Sequence, residues 1–170
     1  MDSNFKSGRC YAFSQGRLTE PPRGELQWFP QDEWHTEFIN AGLLGCSFIE
    51  LLIEREKNIS NPIWSVSGRE EIITLCANNG LVPYSICLDY IIDNSILDDE
   101  EKRAFLSMSE CIAVASKLNA QVIVLPLLEK SAVCLDNLVS TAKVIRKVGL
   151  LAGKHNIQLC VETLLPADEL

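Results

Sequence analysis

Val122-Ile123-Val124-Leu125-Pro126-Leu127 is an unbroken apolar run rich in β-branched side chains. Such a run suits a strand covered on both faces, as in a parallel sheet flanked by its crossover helices. Just upstream, Phe105, Met108, Ile112, Ala115 and Leu118 recur at three- and four-residue spacings, one apolar face of a long helix. Its start, Asp98 to Glu101, is acidic, which the helix dipole favours. Just downstream, Leu135, Leu138, Ala142, Ile145 and Val148 mark the face of another long helix. Gln158 to Val161 then reads as a strand, followed by Glu162 and Thr163.

The same alternation runs back towards the N-terminus. Leu81 to Leu88 reads as a strand. The helix before it opens on Ser67-Gly68-Arg69-Glu70, a capping-box pattern, and runs to about Asn79, where Gly80 suits the C-terminal cap. Phe48 to Ile53 is a strand with one charge, Glu50, inside its apolar run. Asp32 to about Leu44 is helical, with Trp34, Phe38, Ala41 and Leu44 on one face. Cys10 to Phe13 is a short first strand; Gly16 to Gly24 and Asn58 to Pro62 are loops.

Alternating strands and helices imply an α/β fold of about five βα units, with parallel strands and right-handed crossovers. An open doubly wound sheet and a partial (β/α)8 TIM barrel both satisfy this pattern. Two features favour the barrel. No glycine-rich phosphate fingerprint follows the first strand. Polar residues recur in or after the strands: Gln15, Glu50, Asp89 and Glu162. In a barrel the C-terminal strand ends share one face and converge on one site.

Composition narrows the function classes. The chain has 170 residues, 47% of them hydrophobic, enough for one domain with a real core. A net charge of -8 with no basic cluster argues against nucleic acid as a partner. The seven cysteines are odd in number, form no C-x-x-C pair and sit mostly in apolar stretches, as reduced core thiols do. Met1 to Arg9 lacks the apolar region of a signal peptide, and no run reaches membrane-spanning length. The expected compartment is the cytoplasm.

An ordered set of short pieces carries a resemblance. Gln15-Gly16-Arg17-Leu18 follows the first strand, then Phe29-Pro30 with Trp34, Glu37 and Phe38. Gly45, Ile49-Glu50, Asn61-Pro62, Cys87 and Asp89-Tyr90 come next, then Val124-Leu125-Pro126 and Val161-Glu162-Thr163. The set spans nearly the whole chain and resembles the xylose-isomerase-like barrel superfamily of sugar phosphate isomerases and epimerases. The resemblance implies that residues 1–170 form a single domain, the N-terminal part of such a barrel without its last βα units.

It also implies proton transfer next to a carbonyl, assisted by a divalent metal such as Mn, Mg, Co or Zn, on a small-molecule sugar or sugar phosphate. In the epimerase branch a glutamate, an aspartate, a histidine and a second glutamate hold the metal, from strands five to eight. Glu162 matches the first, as metal ligand and catalytic base; the other three would lie beyond Leu170. The chain alone is therefore expected to have little activity. The apurinic endonuclease branch needs histidines on early strands, where this chain has Cys87, Asp89 and Pro126.

Each candidate also has a plainer role. Glu162 could be a solvated strand end. Glu50 would be costly to bury unpaired, so it lines a site or pairs with Arg17 or Arg9. Asp89 either contacts substrate or caps the following turn. Gln15 and Arg17 could bind sugar hydroxyls or phosphate, and Arg17 could equally tie the first loop down. His35 and His155 lie on helices, away from strand ends, and read as surface or structural. Trp28 and Trp64 sit in loop-like segments where one could wall a sugar pocket. Two other classes of function stand beside catalysis. One is a non-catalytic partial barrel that docks or forms a homo-oligomer through open edges. The other is a five-stranded flavodoxin-like binding domain.

Overall fold

The computed structural model describes residues 10–22, 27–97, 101–166 and 169, with backbone alone at 101 and 102. Five strands form one parallel sheet: β1 (Ala12–Ser14), β2 (Phe48–Ile53), β3 (Val82–Leu88), β4 (Val122–Pro126) and β5 (Gln158–Glu162). The helices are α1 (Trp34–Leu43), α2 (Val66–Asn78), α3 (Tyr90–Asp93), α4 (Glu101–Leu118) and α5 (Leu138–Gly153).

The strand order is β1-β2-β3-β4-β5, strictly that of the sequence. A flavodoxin-like sheet reverses direction at a switch point, and this one does not. The flavodoxin-like reading is thus overturned. Sequential parallel strands joined by right-handed crossovers keep every helix on one face, which is how a barrel wall grows.

Residue parity separates the two faces. Ile49, Leu51 and Ile53 of β2, Ile86 and Leu88 of β3, and Ile123 and Leu125 of β4 join the main hydrophobic core. Their helix partners include Phe38, Ile72, Met108, Ile112 and Val148. The alternate residues face the other way. There Ser14, Glu50 and Ser85 share one register row, while Cys87, Val124 and Cys160 share the next.

Several helix details differ from the sequence expectation. The N-cap of α2 is Ser65, whose Oγ accepts from the Gly68 amide at 2.9 Å, so the capping box at Ser67 does not form. The preceding 3-10 turn, Pro62–Trp64, leaves Ser65 extended and places the helix start two residues early. Leu44 follows α1 and is exposed; the buried face is Trp34, Glu37, Phe38 and Ala41. On α5 the buried residues are Thr141, Val148 and Ala152, with Leu135 outside the helix and Ala142 exposed. The proposed α4 start at Asp98 lies outside the described residues. The seven cysteines form no disulfide; Cys76, Cys87 and Cys111 are buried while Cys10 and Cys134 are exposed, and burial pushes the Cys76 thiol up to about 12, as inert core thiols behave. No helix among the described residues is long and apolar enough to cross a membrane.

Candidate functional site

Glu37 fixes the first loop. Its side chain is fully buried and accepts from the Gly16 amide at 2.7 Å, the Leu18 amide at 2.9 Å and the Thr19 hydroxyl at 3.1 Å. Trp28 Nε1 closes the loop by donating to the Gly16 carbonyl at 3.0 Å. Gly16 has φ +86°, and a Cβ there would meet the Trp28 carbonyl at 2.2 Å, so only glycine fits. This loop stands Trp28 and Phe29 beside the strand ends.

Gln15, Glu50 and Asp89 sit on or beside the inward face. Gln15 is buried and acts as an extension of β1: its Oε1 accepts from the Leu52 amide at 3.1 Å, where the strand itself has ended. Glu50 pairs with hydroxyls and not with an arginine. Ser14 donates to its Oε1 at 3.0 Å and Ser85 to its Oε2 at 2.8 Å, both from the same register row. Arg9 lies outside the described residues, and Arg17 is exposed on the first loop.

Asp89 follows β3 and is 6% exposed. Its backbone amide donates to the Ile53 carbonyl at 2.9 Å, and its Oδ1 accepts from Cys87 Sγ at 3.2 Å. Burial pushes the Asp89 carboxyl above the usual range. The Cys87 thiol and the Arg55 guanidinium oppose that rise, while Glu162 and Glu50 add to it. Burial and the same three carboxylates also push the Cys87 thiol up, which keeps it a protonated donor. Asp89 and Cys87 therefore feel the charges of Glu50 and Glu162 across the inward face. Glu162 is exposed at the end of β5, where its carbonyl accepts from the Leu127 amide at 2.8 Å.

A cleft of about 810 Å³ opens over the C-terminal ends of β2, β3 and β4. Trp28 and Phe29 wall one side, Leu52 and Asp89 lie at the strand ends, and Glu54, Arg55, Asp93 and Leu128 form the rim. Glu54 is held by the Asn58 and Asn61 amides, each at 2.8 Å, and Asn61 also donates to the Leu52 carbonyl. Arg55 grips Glu129 with both terminal nitrogens and reaches Asp93 at 3.4 Å. The smaller cavity between Trp64, Tyr90 and α4, about 180 Å³, lies away from these carboxylates.

Of the five candidate residues, the cleft lining includes Asp89; Glu50 and Glu162 act on Asp89 through their charge, Gln15 supports the strand end, and Arg17 does not line the cleft. Sequence reasoning missed Glu54 and Arg55. The signal was present: Glu54-Arg55-Glu56-Lys57 is a charged stretch directly after an apolar strand. It also missed the role of Glu37, since nothing in a helical pattern says that a carboxylate will serve the preceding loop.

A family model described as the xylose isomerase-like TIM barrel matches residues 40–169. The chain belongs to the xylose isomerase-like TIM barrel family. Solved structures of similar fold agree. A xylose isomerase-like TIM barrel protein from Mycobacterium smegmatis in complex with magnesium aligns with a TM-score of 0.59 at 19% identity, over 78% of this chain and 47% of that one. D-psicose 3-epimerase from Clostridium cellulolyticum H10, solved with D-tagatose, gives 0.61 at 14%, over 76% and 46%. A sugar phosphate isomerase/epimerase from Parabacteroides distasonis gives 0.62 at 12%, over 94% and 52%. The chain spans about half the length of these structures. No curated protein sequence matches it.

Membership of the xylose isomerase-like family raises the question of a divalent metal. No group of three or more His, Cys, Asp or Glu side chains among the described residues is placed to hold one. Cys87 is a protonated donor to Asp89, and Glu50 is already engaged by two hydroxyls. The described residues thus do not form a metal site by themselves.

Proposed function

We propose that this chain forms one wall of a sugar isomerase or epimerase site, with Glu162 as a base for a proton next to a carbonyl and the cleft at Asp89 as the sugar-binding part. The observation that carries the proposal is that Asp89 and Glu162 lie at the C-terminal ends of β3 and β5 in a sequential parallel sheet, with Glu50 acting on Asp89 from within β2. The epimerases among the similar structures support the reaction class.

The chemistry follows from the groups present. A carbon acid beside a carbonyl needs a positioned base, and an exposed carboxylate at a strand end can take the proton. Asp89 and the amide-held Glu54 accept hydrogen bonds from sugar hydroxyls. Trp28 and Phe29 offer an apolar wall for the C–H face of a sugar ring. Residues 1–170 supply one side of this site, and that polypeptide alone is expected to show little exchange.

The test is deuterium uptake from heavy water into ketoses, measured by proton NMR with the full-length gene product. Glu162→Gln is expected to slow uptake by about 100-fold or more. Undiminished uptake in that variant, or no uptake with any ketose, overturns the proposal.

A further inference from the structure

We propose that the cleft selects uncharged polyols over their phosphate esters, and that the ion pair between Arg55 and Glu129 enforces the choice. The inference deepens the proposed function and rests on it for the sugar itself. Among the described residues four carboxylates line this cleft, on Glu54, Glu56, Asp89 and Asp93, against one guanidinium, on Arg55. Carboxylates accept hydrogen bonds and give none, so they suit hydroxyl donors and repel a phosphate dianion.

Among the described residues, the one cation in the lining is already engaged. Arg55 Nη1 donates to Glu129 Oε2 at 3.0 Å and Nη2 to Glu129 Oε1 at 2.5 Å, a two-pronged grip of the kind a phosphate would need. Its Nη1 also lies 3.4 Å from Asp93 Oδ2. A phosphate ester must therefore displace Glu129 before it gains charge compensation from Arg55.

The backbone marks this pair as built. Glu129 has φ +48°, in the left-handed region that non-glycine residues seldom enter. The loop after β4 bears that strain while its carboxylate meets an arginine from the loop after β2. Rejection by an uncompensated charge is a recognised source of specificity.

The test titrates the full-length gene product with a free ketohexose and, separately, with the 6-phosphate of the same ketohexose. The readout is the indole N–H resonance of Trp28, at the cleft wall. The free sugar is expected to bind about tenfold tighter or more than the ester. Glu129→Gln, which weakens the grip on Arg55, is expected to narrow that ratio by at least about threefold. Should that variant fold poorly, Asp93→Asn loosens the same guanidinium and moves the ratio in the same direction.

Equal or tighter binding of the ester overturns the inference, as does an absent shift with both ligands or an unchanged ratio in the folded variants. Selective binding without deuterium uptake would sink the proposed reaction and leave the selectivity standing. Uptake with preference for the ester would do the reverse.

Discussion

Asp89 keeps a carboxyl where water barely reaches it, beside a thiol donor. Burial raises its pKa in the folded chain above the ordinary carboxylate value. The sign of the linkage follows. At low pH both states hold the proton and the group costs nothing. As pH rises from the ordinary value to the raised one, the unfolded chain ionises first and stability falls. Above that window the deficit is constant. Asp89→Asn keeps an acceptor for Cys87 and removes the charge. It is expected to melt about 2–4 °C above the unmodified chain at neutral pH, a shift of about one kcal/mol at this size. The gap should close below about pH 4. A constant gap across pH, read by circular dichroism melts, would refute the assignment. Asp89 was legible in the sequence because it directly follows a strand. The partners of Glu50 were not: two serines serve it from neighbouring strands, and only the register row brings them together. An arginine partner was the natural expectation for a carboxylate in an apolar run, and hydroxyls can replace one where the group is only half buried.

Local sequence patterns located the elements well and their ends less well. The apolar periodicities of α1 and α4 carry over into buried faces, with Phe38 and Ala41 on one and Met108, Ile112, Ala115 and Leu118 on the other. The cap of α2 shows the limit. Ser67 has the right neighbours for a capping box, yet Ser65 is the residue that the 3-10 turn leaves extended. Ser65→Ala should therefore cost about 1 kcal/mol in urea unfolding, and Ser67→Ala less than about 0.5 kcal/mol. The reverse order would restore the capping box. On α5 the expected Leu138, Ile145 and Val148 do pack against the core, and the departure is local: Thr141 is buried and Ala142 is not. In the first loop the controlling residue is Glu37, which satisfies two backbone amides and a hydroxyl from outside its own turn. Glu37→Ala leaves those donors unpaired and should cost about 3 kcal/mol. It should also free Trp28, seen as a changed indole fluorescence. A loss below about 1 kcal/mol would mean that the loop holds by other contacts.

For the molecule as a whole, the order of the strands decides between architectures that composition and periodicity left open. Alternating strands and helices fit both a doubly wound sheet and a barrel; the strictly sequential pairing fits the barrel wall. That pairing depends on long-range contacts, which no local pattern records. It has a physical consequence at β5. Gln158 donates to the Gln121 carbonyl and Glu162 accepts from the Leu127 amide, so residues of that parity are bonded to β4. In a parallel ladder both backbone groups of a residue point to the same side. Leu159 and Val161 therefore direct theirs away from β4, and Val161 is 40% exposed. Ile86 and Cys87 of β3 lie between β2 and β4 and are covered on both sides. In the polypeptide 1–170, the amides of Leu159 and Val161 should exchange with deuterium about 100-fold faster than those of Ile86 and Cys87. Equal protection would show that the edge is covered, and sizing by light scattering at the same concentration would then identify the cover. A doubled mass would establish a homo-oligomer through the open edge.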